Sequence, residues 1–413
     1  MKRLLLSMAA VPLMVGSLSV SASADDGINI LNDVKVKGEI RPRFEYANQK
    51  QNGKDTAKAF TARTHLSVTG GLLGIENLTA TVGLQGVNNF GYTDYAPANT
   101  HGNVSYDTIM DPQGAMLSEA SLDYTIDKTA LHVGRSHVNL DNQRFIGTVG
   151  WRQMERSYDT VYAANNSIKN LNLLAAYVYG FAGVTGTTTT DTNSVLLHAN
   201  YKVMDELSIT AYDYMLAVGV QGVDTDTYGV ALTGKVDAGA KLSYRAEYAV
   251  QKDPTMELST KNIKADANYM NLDLGANITG ILAGLNYEVL SGTNGNDGKT
   301  AFVTPLATGH KFNGWADKFL KTPTGGLQDA NVRIGYKAKG FGKVLAVYHS
   351  FTADKKMGGE DDLGTEIDAV YVNKIPNVNN LSGLVKFASY SGGKVTGYSK
   401  DVTKAWVQLD YKF

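Results

Sequence analysis

The chain has 413 residues, a formal net charge of −1 and no cysteine. The near-neutral charge gives no indication of a nucleic-acid partner, and the lack of cysteine excludes a disulfide framework and thiolate chemistry. The 43 glycines and 23 tyrosines, against 8 prolines, are typical of a chain of strands and turns.

The N-terminus has the pattern of a signal peptide. Met1-Lys2-Arg3 precedes an apolar run from Leu4 to about Val20, and Ser21-Ala22-Ser23-Ala24 follows. We predict cleavage after Ala24, so that residues 1–24 are removed and residues 25–413 form a single domain, since neither a linker nor a change of composition divides them. No later apolar stretch approaches the roughly 20 residues of a membrane-spanning helix.

Hydrophobic and polar residues alternate with period two from Val34 onward. One parity carries apolar residues such as Ile40 and Phe44, and the other carries charged residues such as Arg41 and Glu45. Alternation over a dozen residues matches a tilted strand with lipid on one side and water on the other.

The same alternation returns along the whole chain, in about seventeen candidate strands. The clear segments lie near residues 60–69, 77–87, 119–126, 194–203, 227–236, 241–251, 263–270, 330–338, 365–374 and 381–390. Weaker segments lie near residues 129–135, 158–164, 171–181, 207–216, 279–290 and 342–352.

These segments predict an all-β fold, a transmembrane antiparallel β-barrel with long extracellular loops. Because bacterial single-chain barrels have even strand numbers, we predict 18 strands, with 16 as the alternative. So wide a barrel leaves a water-filled lumen. A soluble array of β-sandwiches would show shorter strands and domain linkers.

The C-terminal segment repeats the pattern and ends on an aromatic residue. Ala405, Val407, Leu409, Tyr411 and Phe413 share the apolar parity. This ending resembles the assembly signal of outer-membrane barrels, so Tyr411 and Phe413 are predicted to be read by the barrel-assembly machinery. The other expected partners are outer-membrane lipid and lipopolysaccharide.

Two motifs carry a sharper resemblance. The first runs from Asn142 to Gln153 and contains Trp151; the second runs from His310 to Phe319 and contains Trp315. With Tyr348-His349-Ser350-Phe351 and Gly364-Thr365-Glu366-Ile367-Asp368, they resemble the alginate-export family of outer-membrane porins over about residues 130–375. The resemblance implies a monomeric barrel of about eighteen strands with a cationic lumen suited to acidic polysaccharide.

We therefore predict a porin for passive diffusion of anionic solutes or acidic polysaccharide in the outer membrane. The alternative is a general small-solute porin without polysaccharide selectivity, and a barrel-embedded hydrolase or adhesin is a remote third. No nucleophile elbow, phosphate loop or His-Glu-x-x-His motif is present, so we predict no enzyme activity, no catalytic residue, no cofactor and no metal site.

Arginine suits a channel for carboxylates, because its guanidinium stays charged and binds a carboxylate through two hydrogen bonds. The arginines predicted to line the pore and bind anions are Arg41, Arg43, Arg63, Arg135, Arg144, Arg152, Arg156, Arg245 and Arg333. The alternative is that they pair with Glu119, Asp123, Glu155 or Glu247 and only neutralise the inner wall.

The longest stretch without alternation, about residues 291–327, predicts a long loop. Its aromatic residues Phe312, Trp315 and Phe319 could fasten the loop to the barrel rim, which is the commoner arrangement, or plug the mouth and stack on sugars. The residues singled out in this motif are His310, Lys311, Phe312, Asn313, Trp315 and Asp317.

Overall fold

The computed structural model describes residues 30–50, 53–97, 104–186, 189–218, 224–255, 264–295 and 298–413. The predicted signal peptide, residues 1–24, lies outside this part of the chain. Among the described residues, no helix has the length and apolarity needed to cross a membrane.

Nineteen strands are present in the described residues, and we number them in chain order. The first nine are β1 Leu31–Asn48, β2 Ala57–Leu72, β3 Leu78–Asn88, β4 Gly114–Ile126, β5 Thr129–Ser136, β6 Ser157–Asn165, β7 Leu171–Ala182, β8 Thr189–Met204 and β9 Leu207–Leu216. The others are β10 Thr225–Asp237, β11 Lys241–Lys252, β12 Lys264–Ile278, β13 Ile281–Ser291, β14 Lys299–Thr300, β15 Gly326–Ala338, β16 Gly342–Met357, β17 Glu360–Lys374, β18 Leu381–Ser391 and β19 Val402–Lys412.

All strands except β14 form a closed antiparallel barrel of 18 strands, which confirms the predicted fold class and strand number. The barrel closes where β1 pairs with β19 as well as with β2. The two-residue β14 stands apart, paired in parallel with β12, while β13 pairs directly with β15.

Several strand boundaries differ from the predicted ones; β4, β8 and β15, for example, begin four or five residues earlier. The segments predicted at 263–270 and 279–290 are one hairpin, in which β12 continues to Ile278 and turns at Thr279-Gly280. Both turn residues have positive φ, 49° and 100°, as a type I′ hairpin turn requires. Strands β16 and β17 also extend beyond their predicted ends, into a hairpin with exposed charged residues, where alternation is lost because both faces meet water.

The two faces of the wall follow the predicted parities. Apolar side chains such as Leu84, Leu274, Leu285 and Ile334 are exposed on the outside, where lipid can cover them. Polar and charged residues face inward. This is the architecture of an outer-membrane barrel.

Two long connections fold into the lumen, and most of the buried core lies where they meet the inner wall. Loop A, residues 137–156, joins β5 to β6, and loop B, described over residues 292–295 and 298–325, joins β13 to β15. Phe145 of loop A and Phe302, Leu306 and Phe319 of loop B are buried in this core, together with wall residue Trp406. The twenty residues of loop A reach across the lumen, since Arg144 binds Glu288 of β13 at 2.9 Å.

Candidate functional site

Two wall arginines hold the backbone of loop A. Arg41 donates from Nη1 to the carbonyl oxygen of Gly150 at 2.9 Å and from Nη2 to that of Arg152 at 2.5 Å. Arg43 donates from Nη2 to the carbonyl oxygen of Trp151 at 2.5 Å. Three consecutive carbonyl groups of loop A therefore accept hydrogen bonds from charged donors. Such hydrogen bonds are stronger than those between neutral groups.

A third wall arginine anchors the end of loop A through a carboxylate. Arg63 Nη2 lies 2.8 Å from Glu155 Oε2 and 3.1 Å from Glu39 Oε2. Burial raises the pKa of Glu155, but Arg63, His137 and Arg41 outweigh burial and lower that pKa to about 2. Glu155 is therefore ionised in the docked loop.

Loops A and B are bonded directly to each other. The Gly147 amide donates to the Leu306 carbonyl at 2.9 Å, and the Thr308 amide donates to the Gln143 carbonyl at 3.1 Å. A Cβ at Gly147 would lie 2.3 Å from Thr308 Oγ1, so the contact is too close for any larger residue without rearrangement. The loops form one packed unit.

A buried charge cluster joins both loops to the wall. Asp317 of loop B accepts hydrogen bonds from Arg152 at 2.9 Å, Lys404 at 2.8 Å and His310 at 2.6 Å, and Arg152 also pairs with Glu45 at 3.1 Å. Burial raises the pKa of Asp317, but His310, Lys404 and Arg152 outweigh burial and hold that pKa well below its usual range. The Asp317 carboxylate stays ionised.

The three tryptophans of the chain surround one lysine beside this cluster. Lys386 Nζ lies 4.1 Å from the ring centroid of Trp151, 3.9 Å from that of Trp315 and 5.3 Å from that of Trp406. His310 stacks on Trp151 with ring centroids 4.6 Å apart. A desolvated cation over an aromatic face contributes up to about 2 kcal/mol, so this cage stabilises the docked loops.

The tip of loop B also binds wall acids through its backbone. The Trp315 amide donates to Asp368 at 3.1 Å, and the Ala316 amide donates to Glu366 at 2.7 Å. Gly314 has a φ of +84°, and a Cβ there would lie 2.4 Å from Glu366 Oε2. The turn therefore requires glycine for both its conformation and its closeness to the wall.

Most of the predicted arginines come together at these contacts. Arg144 binds Glu288 at 2.9 Å and Asn313 at 3.0 Å, and Arg156 donates to the Gly147 carbonyl at 3.2 Å. The members of the group around the two loops are Arg41, Arg43, Arg63, Arg144, Arg152 and Arg156.

The remaining three arginines lie elsewhere. Arg245 pairs with Glu247 at 2.8 Å and Arg333 with Asp273 at 2.6 Å, both on the inward parity. Arg135 shares the outward parity with Leu131 and Val133 and pairs with Asp159 at 2.7 Å. The structure does not bring Arg135 together with the lumenal arginines.

Of the four acids proposed as alternative partners, two pair with arginine, namely Glu155 and Glu247. Glu119 contacts His65 at 3.1 Å, and Asp123 contacts His132 at 2.7 Å. Both arrangements foreseen from the sequence therefore occur in part, since arginines face the lumen and also pair with acids there. Their role in selectivity stays a prediction.

The residues of the His310 motif lie inside the barrel against the wall. His310, Asn313 and Asp317 are bonded to wall or loop partners, Lys311 donates to the Asn142 carbonyl at 2.9 Å, and Phe312 lies under the Arg144 guanidinium at 4.7 Å. The motif thus narrows the lumen. What it does in transport stays a prediction.

Sequence reasoning missed the wall residues that receive the loops. Lys386, Lys404, Glu288 and Trp406 are all buried on the inward face. Of these residues, Trp406 could have been recognised in the sequence. A large aromatic side chain on the lumenal parity indicates that a loop inside the barrel covers it.

Below the loops, a lumenal cavity of about 370 Å³ lies between loop B and one sector of the wall. Its polar and aromatic lining includes Arg245, Asn271, Asp273, Asn286, Asn331 and Arg333 from the wall and Lys311, Phe312 and Trp315 from the loop. Among the described residues, no cluster of three or more His, Cys, Asp or Glu could hold a metal ion.

A closed 18-stranded wall, apolar outside and narrowed inside by two docked loops, defines a porin-type barrel. No family model matches the chain, and no curated protein is similar to it in sequence. Solved structures do share the fold. Pseudomonas aeruginosa OccK8 (OprE) has a TM-score of 0.69 and 14% identity, covering 92% of this chain and 98% of that one.

Two further solved structures give the same result. Pseudomonas aeruginosa OpdO has a TM-score of 0.70 and 13% identity, covering 93% of this chain and 98% of that one. Acinetobacter baumannii OccAB2 has a TM-score of 0.70 and 14% identity, covering 94% and 99%. At 13–14% identity these likenesses show that the fold is shared.

The resemblance to the alginate-export family is wrong. The structural neighbours are Occ porins over more than nine-tenths of the chain, and no family model supports an alginate assignment. The two motifs that suggested it are parts of loops A and B. Their tryptophans, glycines and charged residues dock these loops inside the barrel, a need that does not depend on the cargo.

Proposed function

We propose that the protein is an outer-membrane channel for diffusion of small solutes, with its narrowest part where loops A and B meet. The supporting observation is the docking of both loops across the lumen. Their contacts with the wall and with each other, including the pair Arg152–Asp317 at 2.9 Å, hold the loops in place across the lumen. A fixed constriction limits solutes by size.

The charges at the constriction favour small solutes over an acidic polymer. A polyuronate needs weak, repeated contacts with available cations. Here Arg41 and Arg43 donate to loop carbonyls, while Arg63 and Arg152 bind carboxylates. Arginines that already bind the loops or carboxylates have few hydrogen-bond donors left for the successive carboxylates of a polyanion.

We also propose the membrane partners of this channel. The apolar outer face lies in outer-membrane lipid, with lipopolysaccharide as its outer leaflet neighbour, and the strand ending in Phe413 serves as the signal for the assembly machinery. Passage of a small anionic solute is compatible with this channel.

Liposome swelling tests the proposal. Purified protein in vesicles should admit neutral sugars up to a sharp size limit, and planar bilayers should show discrete conductance steps. The comparison variant lacks residues 303–320 of loop B. In this variant the size limit for neutral sugars should rise. If neither swelling nor conductance exceeds that of protein-free membranes, the channel function is excluded.

A further inference from the structure

We propose that the cavity below loop B is a binding site for a neutral, polyhydroxylated solute the size of a mono- or disaccharide. This inference rests on the proposed channel function and names a solute class for it. The cavity of about 370 Å³ is lined by residues 311–315 of loop B and by the wall, and its volume lies within the range of about 300–1,000 Å³ of small-molecule pockets.

Each acid that lines the cavity has a basic partner. Asp273 pairs with Arg333 at 2.6 Å, and Asp329 lies 2.9 Å from His349 Nδ1. Glu288 pairs with Arg144 at 2.9 Å. Acids that are already paired create little net field in the cavity, so they favour a neutral ligand over an ion.

Side-chain amides are part of the wall lining of the cavity. Asn331 donates to Asn286 Oδ1 at 3.2 Å, and Asn286 donates in turn to Asp273 at 3.2 Å. An amide offers both donors and acceptors, as a hydroxyl group does. Such a row of amides can therefore match the several hydroxyl groups of a sugar.

Two aromatic rings of loop B complete the lining. Phe312 has the Arg144 guanidinium over one face at 4.7 Å, and Trp315 has Lys386 Nζ over one face at 3.9 Å. Each ring is half-buried and also contributes to the cavity. An aromatic surface facing polar amides suits the C–H face of a sugar ring, which is apolar while its edge is hydroxylated.

The lining also contains a cation, Lys311, that would attract an anionic solute. Lys311 lines the cavity and donates to the Asn142 carbonyl at 2.9 Å, and Arg245 nearby is paired with Glu247 at 2.8 Å. A charge series of hexoses separates the two possibilities. D-Glucose, D-glucuronate and D-glucosamine share a ring and differ in charge.

The experiment measures block of the ion current through single channels of the full-length protein in planar bilayers. D-Glucose should reduce the current saturably and at lower concentration than either charged hexose. Asn331→Leu should raise the half-blocking concentration about tenfold, as expected for lost hydrogen bonds at one side chain. The second test is Asn286→Ala, at a half-buried position. This variant should also raise the half-blocking concentration of D-glucose.

The matched control is Asn200→Leu, the same replacement on the inward face of β8 outside the cavity lining, which should leave the block within about twofold. All variants should keep the gel mobility of the folded barrel. An open channel without saturable glucose block would overturn the site and leave the channel function standing. Tighter block by glucuronate, removed by Lys311→Gln, would overturn the neutral-ligand assignment in favour of an anion site.

Discussion

Arg152 of loop A and Asp317 of loop B form a buried ion pair of 2.9 Å that joins the two lumenal loops. Removing one partner of a buried pair costs about 3–5 kcal/mol, because the other charge stays buried. We expect Arg152→Ala and the nearly isosteric Asp317→Asn both to loosen the loops and to give larger, noisier single-channel currents.

The exposed pair Lys50–Asp401, at 3.0 Å, provides the control. Exposed pairs contribute about 0–1 kcal/mol, so Lys50→Ala should leave the currents unchanged. Steady currents of wild-type size in Asp317→Asn would show that the pair does not hold the constriction.

The pKa of Glu155 predicts a response to acid. Because its folded pKa, about 2, lies below its ordinary 4.5, the ionised form stabilises docking above pH 4.5, and this contribution is lost as the pH falls from 4.5 through 2. The full contribution is on the order of 3 kcal/mol. We expect current noise to rise below pH 4.5.

Glu155→Gln should remove this acid response and give noisy currents already at pH 6. The charged groups facing Glu155 are Arg63, Arg41 and His137, so Arg63→Gln should act in the same direction. Equal acid sensitivity in Glu155→Gln and the wild type would assign the response to another group.

Gly314 tests how closely loop B must approach the wall. Gly314→Ala adds a Cβ that would lie 2.4 Å from Glu366 Oε2, which displaces the amides bound to Glu366 and Asp368. Proteolysis within loop B should become about tenfold faster, because a loss of about 1.4 kcal/mol in the free energy of loop docking raises the undocked population about tenfold.

Gly397→Ala is the matched control. Its φ of +88° is close to the +84° of Gly314, but nothing lies within 4 Å of its Cβ position. It carries the backbone strain without the clash. If both variants accelerated cleavage of loop B equally, strain alone would explain the effect.

Phe413 completes the closure of the barrel. Its amide donates to the Gly38 carbonyl at 3.0 Å, and its own carbonyl accepts from the Gly38 amide at 2.8 Å. Deleting Phe413 removes both bonds and the ring over Gly38, so we expect slower assembly and a smaller fraction of heat-modifiable barrel in the membrane. Phe413→Tyr keeps the bonds and an aromatic ring, and should assemble normally.

The barrel wall could be predicted from the sequence because its physical cause is local. Each strand separates lipid from water, so residues such as Phe44 and Arg43 must alternate wherever the strand crosses. Closure at 18 strands then follows from counting such segments and requiring an even number. The exact strand ends could not be predicted, for example where β16 and β17 leave the membrane and the separation of faces disappears.

The contacts inside the lumen could not be predicted in the same way. They join distant parts of the chain, and no periodic pattern in the sequence marks them. Arg41 and Gly150, or Lys386 and Trp315, meet only after the barrel has closed. The sequence by itself determined a wall with lipid outside and polar groups inside. Only the tertiary structure decided that the Trp151 and Trp315 motifs dock on that wall as a constriction. The physical reason is that burial inside a closed lumen brings inward-facing charges of distant segments together as ion pairs.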